Sequence, residues 1–290
     1  MAQTKILIIG GSGYIGTNVA QFLAQKHAVT ATYRKNFTPV KNVEFFHFSE
    51  INEKDHCKAL MLKFEPDIVI YAAGSNDVTF AEKDSVATQA IHSNATSIVL
   101  TAADYIKAKF IFLSSDYVFS GSEGNYSESD TPMPYSQIGK AKLNAENYIR
   151  GRSNNHVIIR SSFLLGRGTL QHPSWFDQLR EMNLKKQKIP LPKKTFHNPV
   201  HISVLFQVLD KIIQQDIRNK TFHLGGLTKS SLFEVAEAFF KLCEFDEKLL
   251  ETNDASSSTV PSDYSLNFTQ TLRSLKLEPL LLQQSLDMLK

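Results

Sequence analysis

Cysteine is scarce in this 290-residue chain: Cys57 and Cys243 are its only two, far apart in sequence. That excludes a disulfide framework and a thiolate metal cluster, and fits two buried thiols in a reducing compartment. No apolar run approaches the ~18 residues of a transmembrane helix. The opening apolar stretch is too short for a signal-peptide core, so a cytoplasmic location is expected. Charge of one sign is also lacking. Lys and Arg number 32 against 29 Asp and Glu, a net charge of +3, and no long basic run suggests a nucleic-acid groove. With 42% hydrophobic and 21% charged residues, the composition is that of a folded globular protein and not a disordered one.

What is present is alternation. Apolar, β-branched segments at Lys5–Ile9, Ala28–Tyr33, Val43–Phe48, Asp67–Tyr71, Lys109–Leu113 and Val157–Arg160 read as strands. Between them Tyr14–Gln25, Glu53–Phe64, Thr79–Ile106 and Ile138–Arg150 carry helical periodicity. Continuous apolar strands separated by helices predict an α/β fold, a doubly wound parallel sheet of Rossmann type with helices on both faces. The second half differs. Pro173–Pro199 is rich in Lys and Pro without a clean period, and 253–258 is a polar loop. Helices are expected at Ile202–Gln214, Leu232–Cys243, Thr269–Leu275 and Leu280–Lys290, with a strand at Thr221–Leu224. This predicts a dinucleotide-binding domain over 1–165 and a smaller substrate-binding cap over 166–290, with 202–243 returning to the first domain.

The strongest local signal is Gly10-Gly11-Ser12-Gly13-Tyr14-Ile15-Gly16, directly after the first strand and opening the first helix. Gly10 and Gly13 permit a tight turn and close backbone approach to a pyrophosphate, and Gly16 lets helix and strand pack closely. The helix start, with Tyr14 and Ile15, offers unpaired N–H groups and a partial positive charge. A bare glycine turn is the competing reading, but the strand–loop–helix–strand context favours a dinucleotide site. The second strand ends Tyr33-Arg34-Lys35, with no carboxylate for a ribose 2′-hydroxyl. Arg34 and Lys35 suit a 2′-phosphate instead, so NADP(H) is expected ahead of NAD(H).

Four segments, GGSGYIG (10–16), VIYAAG (69–74), FIFLSSDYVFSG (110–121) and GKAKLNAE (139–146), give the chain its family resemblance. It resembles the extended short-chain dehydrogenase/reductases, most closely their dTDP-4-dehydrorhamnose reductase-like branch, and Phe196-His197-Asn198-Pro199-Val200 is similar to that branch's substrate loop. The resemblance implies that Ala72, Ala73 and Gly74 pass close to the cofactor and that Asn94 shapes the site. It implies that Ser115 hydrogen-bonds the substrate carbonyl beside Ser114, and that Lys142 holds the nicotinamide ribose. It also implies a nucleotide-linked deoxysugar ketone as substrate.

One departure stands out. The family places a tyrosine four residues before the lysine, on the same helix face, and an ungapped match puts Ile138 there. Hydride delivery to a ketone leaves an alkoxide that needs a proton, and losing a general acid costs about 10²- to 10⁴-fold in rate. Tyr135 is the substitute nearest that helix, with Tyr117 and Tyr126 further candidates from the preceding loop. Taken singly, each reads more readily as an ordinary packing or surface tyrosine. Arg167, Lys185, Lys186, Lys193 and Lys194 are cations that a substrate pyrophosphate could use, although paired loop lysines more often serve solvation. Trp175 and Phe176 are candidates for a pocket wall or a core anchor. The expected activity is NADP(H)-dependent reduction with an atypical proton donor, in a homo-oligomer or alone. The alternative is an NADP-binding regulatory subunit on the same scaffold.

Overall fold

The computed structural model describes residues 3–75, 77–253 and 263–290; most of the polar segment expected at 253–258 lies outside them. Six strands, β1 (Lys5–Ile9), β2 (Ala28–Tyr33), β3 (Val43–His47), β4 (Ile68–Tyr71), β5 (Lys109–Ser115) and β6 (His156–Ser161), join a seventh at Lys220–Leu224. Their order across the sheet is seventh, β6, β5, β4, β1, β2, β3, and every pair is parallel. The order reverses between β1 and β4. Their diverging carboxyl ends open the crevice where doubly wound sheets bind ligands.

Strand residues are buried on both faces because helices cover both. On one side α1 (Tyr14–Leu23) and the helix Ser203–Gln214 pack with Ile6, Ile8, Val29, Ile70 and Ile159. On the other, α2 (Lys54–Phe64), α5 (Ala95–Tyr105) and α6 (Gln137–Arg152) pack with Leu7, Ile9, Val69, Phe110 and Ile158. The expected strands and helices are present within a residue or two at most ends, since apolar period is a strong signal for long elements.

Two segments differ from expectation. The stretch read as one helix over 79–106 is broken into α3 (Val78–Lys83), α4 (Ser85–Gln89), a π-helical turn (Ala90–Asn94) and α5. The cause is local. The side chains of Asp77 and Asp84 accept the Phe80 and Ala87 amides at 3.0 and 2.9 Å and so restart the chain twice. The π turn inserts a residue, shifting helical phase by about 100°.

The second difference is a helix at Trp175–Leu184 inside the stretch that lacked a clean period. A capping box starts it, with Ser174 and Asp177 satisfying each other's backbone N–H groups. That helix and Leu232–Leu242 build a third apolar cluster around Phe176, Leu179, Val235, Phe239 and Phe240. Of the 202–243 region, the helix Ser203–Gln214 and the strand Lys220–Leu224 lie with the main sheet, while Leu232–Leu242 packs in this second core.

Candidate active site

The glycine turn sits at the sheet's switch point. Gly10 has φ +80°, and a Cβ there would lie 2.6 Å from Ala73 Cα; a Cβ on Gly16 would lie 2.3 Å from the Gly10 carbonyl oxygen. Both glycines are therefore required by the protein's own packing. Gly13 is different: a Cβ there would meet only the Gly10 oxygen, at 3.5 Å. The space over Gly13 is thus open, as a cradle for a bulky anion must be. Gly13 is the N-cap of α1 without a side-chain cap, and no acidic residue lies in the first turn. By contrast, α3, α4 and α6 all begin with capping side chains. The start of α1 leaves its amides and positive dipole end to an anion.

From this turn a cleft runs past Ile15, Ala72, Ala73, Gly74, Leu113 and Ser114 to Lys142, Ser161 and His92. Six of the thirteen residues expected at a cofactor site, Ile15, Ala72, Ala73, Gly74, Ser114 and Lys142, line this one cavity, though drawn from four elements. Tyr14 contributes its backbone only, because its hydroxyl donates to the Leu164 carbonyl at 3.3 Å. Arg34 and Lys35 are exposed just beyond β2. Asn94 is exposed and outside the cleft wall. The π turn presents His92 instead, its Nε2 3.0 Å from the Ser75 carbonyl oxygen. Burial, reinforced by Lys142, pushes His92 down to about 3, so it is neutral. Periodicity could not have found His92, because the inserted residue breaks the period that would have pointed to it.

Lys142 is buried, its ammonium donating to the Leu113 carbonyl at 3.3 Å. Desolvation lowers it to about 8, against the pull of Asp116 and Glu146. Ser114 is spent on structure: its hydroxyl donates to Glu146 at 2.6 Å. Glu146 in turn accepts from Arg160 at 2.7 Å, both fully buried. Ser115 contrasts with its neighbour. It is 3% exposed, yet its hydroxyl has no hydrogen-bond partner. Leaving a buried hydroxyl unsatisfied costs about 1–3 kcal/mol, and a reacting ligand's oxygen would relieve it.

Ile138 falls in the first turn of α6, four residues before Lys142, and is completely buried. Tyr135 lies outside α6 and is 59% exposed. Tyr117 packs edge-on to His197 and Tyr264, with centroids 5.7 and 5.1 Å away. Tyr126 stacks on Phe119.

Among the substrate-side candidates, Arg167 donates to the Leu289 and Lys290 carbonyls and Lys185 pairs with Glu181. The Lys193 ammonium lies 5.1 Å from the Phe233 ring centroid. Trp175 and Phe176 pack with Phe163 and Phe239 as core anchors. Among the described residues no group of three or more His, Cys, Asp or Glu could hold a metal ion, and no helix is long and apolar enough to cross a membrane.

Comparison with known proteins places this geometry. The family model described as RmlD substrate binding domain matches residues 4–283. A probable low-salt glycan biosynthesis reductase, Agl14, of Haloferax volcanii is 29% identical over 161 residues, 55% of this chain. The match spans only 53% of that relative's length. The methionine adenosyltransferase 2 subunit beta of Rattus norvegicus is 25% identical over 80% of this chain and 70% of its own. The dTDP-4-dehydrorhamnose reductase of Aggregatibacter actinomycetemcomitans is 24% identical over 90% of this chain and 86% of its own. The crystal structure of dTDP-4-dehydrorhamnose reductase from Bacillus anthracis, in complex with NADP, superposes with a TM-score of 0.80 at 19% identity, covering 99% of this chain and 98% of that one.

Proposed function

Since the chain belongs to the RmlD substrate-binding family, the dTDP-4-dehydrorhamnose reductase-like branch of the extended short-chain dehydrogenase/reductases, we propose that it is an NADP(H)-dependent oxidoreductase. Its substrate class is the keto group of a nucleotide-linked deoxysugar. The observation that carries this reading is the unpartnered, buried Ser115 hydroxyl beside a cleft lined by Lys142. A hydroxyl in that state is a preorganised donor for an oxygen that gains negative charge during reaction.

The residues present fit a nicotinamide dinucleotide. The open space over Gly13 and the uncapped start of α1 would receive the pyrophosphate. Arg34 and Lys35 would receive the 2′-phosphate, Ala72 to Gly74 would flank the dinucleotide, and Lys142 would hold the ribose hydroxyls. The bound nucleotide supplies the hydride. The protein's part is to fix the ketone: Ser115 donates to its oxygen, and the Lys142 ammonium, where protonated, makes the local potential favour the developing alkoxide.

The test follows oxidation of NADPH with a panel of nucleotide-linked 4-keto sugars. Turnover is expected, and Ser115→Ala should lower kcat by about 10²-fold while NADPH still binds. Failure of every ketosugar to oxidise NADPH would overturn the reading. A second reading rests on Ile138, which puts no hydroxyl where this branch carries its proton donor. On that reading the chain is a nucleotide-binding subunit, for which one relative's name offers a precedent. It predicts NADPH binding without turnover, and brisk catalysis would remove it.

A further inference from the structure

A buried acid–imidazole pair is anchored just past the ends of two strands that line the cleft, and the mechanism above leaves it unused. The cleft wall includes Ser114 at the end of β5 and Ser161 at the end of β6. Two residues further on, β5 gives way to Asp116; one residue further on, β6 gives way to Ser162. These two meet, the Ser162 hydroxyl donating to Asp116 Oδ2 at 3.2 Å. The same carboxylate oxygen accepts from His197 Nδ1 at 2.7 Å. Asp116 and His197 are each 3% exposed.

His197 is held from several sides. Tyr264 stacks on its ring at 5.5 Å between centroids, with planes 11° apart, and Tyr117 meets it edge-on. The next residue, Asn198, is pinned through its amide to Ser162 at 2.9 Å, its side chain to Gly226 O at 3.1 Å, and its Oδ1 to the Leu266 amide at 2.6 Å. Such over-determined placement of a titratable ring exceeds what packing alone requires. An apolar side chain would fill the same space without burying a charge-bearing pair.

From this, and resting on the reductase reading above, we infer that His197, oriented by Asp116, is the proton donor that takes the place of the hydroxyl missing at Ile138. Asp116 immediately follows Ser115 at the end of β5, the strand whose Ser114 lines the cleft. With Nδ1 committed to Asp116, Nε2 is the ring position free to carry the transferable proton. The balance is simple. Hydride from the reduced nicotinamide adds to the carbonyl carbon with two electrons, the C=O π bond breaks towards oxygen, and the imidazolium Nε2–H proton goes to that oxygen. The products are the alcohol, the oxidised nicotinamide and a neutral imidazole, which regains its proton from water. Asp116 touches neither substrate nor cofactor in this scheme; it is a positioning residue that keeps Nδ1 protonated and stabilises the cation.

The charged and titratable groups around the ring are Asp116, Tyr117 and Tyr264, with Lys142 coupled through Asp116. The test compares wild type, His197→Gln, Asp116→Asn and Tyr135→Phe with NADPH and a turned-over ketosugar. It scores kcat against pH, NADPH affinity by nicotinamide fluorescence, and melting temperature. His197→Gln is expected to lose about 10²-fold or more in kcat with KM and NADPH affinity within about threefold. Asp116→Asn is expected to lower kcat while KM and NADPH affinity stay within about threefold. In the nucleotide-free protein, the His197 ring ¹⁵N shifts should report a protonated Nδ1 in wild type and lose that signature in Asp116→Asn, a readout independent of turnover.

Retention of kcat in His197→Gln would overturn the inference. So would an unchanged kcat and ring tautomer in Asp116→Asn, or a collapse in Tyr135→Phe with His197→Gln intact, which would hand the role to Tyr135. A His197→Gln protein that loses NADPH binding and stability along with kcat would show a structural role only and would also overturn it. Wild type that binds NADPH but turns over nothing would instead strike the reductase reading and take this inference with it.

Discussion

The two ends of the cleft are built on opposite plans. At the phosphate end everything comes from one seven-residue run, Gly10–Gly16, set between β1 and α1. At the reacting end Ser115, Lys142, His92, Asp116 and His197 come from β5, α6, the π turn, a 3₁₀ turn at Asp116–Val118 and a two-residue strand at Phe196–His197. The phosphate end relies on backbone: amides, a dipole and glycines that keep Cβ atoms out of the way. The reacting end relies on side chains whose states are set by burial. Backbone recognition tolerates sequence drift as long as the glycines stay. Side-chain chemistry depends on single residues, and Ile138 puts no hydroxyl at its position on α6.

The reacting end can be broken hardest through its support. Glu146→Ala should destabilise the fold by about 3–5 kcal/mol, because Arg160 would be left charged and buried without its partner. Chemical denaturation checks this, and an effect under about 1 kcal/mol would mean that Arg160 finds another acceptor.

Lys142 gives the next effect, one that depends on pH. Its folded value, lowered to about 8 from 10.5, means that the unfolded chain holds the proton more tightly. The burial cost is therefore fully present below pH 8, and stability is regained as pH rises from about 8 to 10.5. Buried phenols and the Cys57 thiol, pushed up by burial, act in the opposite direction at high pH. The difference between wild type and Lys142→Met isolates the lysine. Wild type should gain on the variant by a few kcal/mol across that window, measured by denaturation at pH 7.5 and pH 10. A flat difference would mean that Lys142 is better solvated than its burial indicates.

The phosphate end responds more mildly and in a different currency, affinity. Gly13→Ala meets nothing closer than 3.5 Å within the protein, so melting temperature should hold within a degree or two while NADPH affinity falls about tenfold or more. Equal losses in stability and affinity would erase the contrast drawn here. The smallest shift is expected from Arg34→Ser, which removes one exposed cation facing a 2′-phosphate. NADPH affinity should weaken about tenfold, ~1.4 kcal/mol, with NADH affinity unchanged, as read by fluorescence titration.

The sheet was legible because its strands announce themselves twice, by β-branched apolar residues and by the helices between them. Ala28–Tyr33 and Thr269–Leu275 coincide with their expected ranges. The helix Trp175–Leu184 was hidden among Lys and Pro residues, and its capping box at Ser174 and Asp177 was the available signal. Asn94 and His92 exchanged places because one π turn rotates the helix, a change that no periodic pattern encodes. Of the two readings open for Trp175, pocket wall or core anchor, the structure favours the anchor, because Phe163 and Phe176 close on it edge-on.

The sequence by itself determined the parallel sheet and the glycine turn that joins β1 to α1, since each is written in neighbouring residues whose pattern is local. Only the tertiary structure decided which buried polar side chains meet. Asp116 and His197 are 81 residues apart, and Tyr264 stacks on the ring from further along still. Contact between such distant residues follows from how strands and loops pack, and packing is a property of the whole chain.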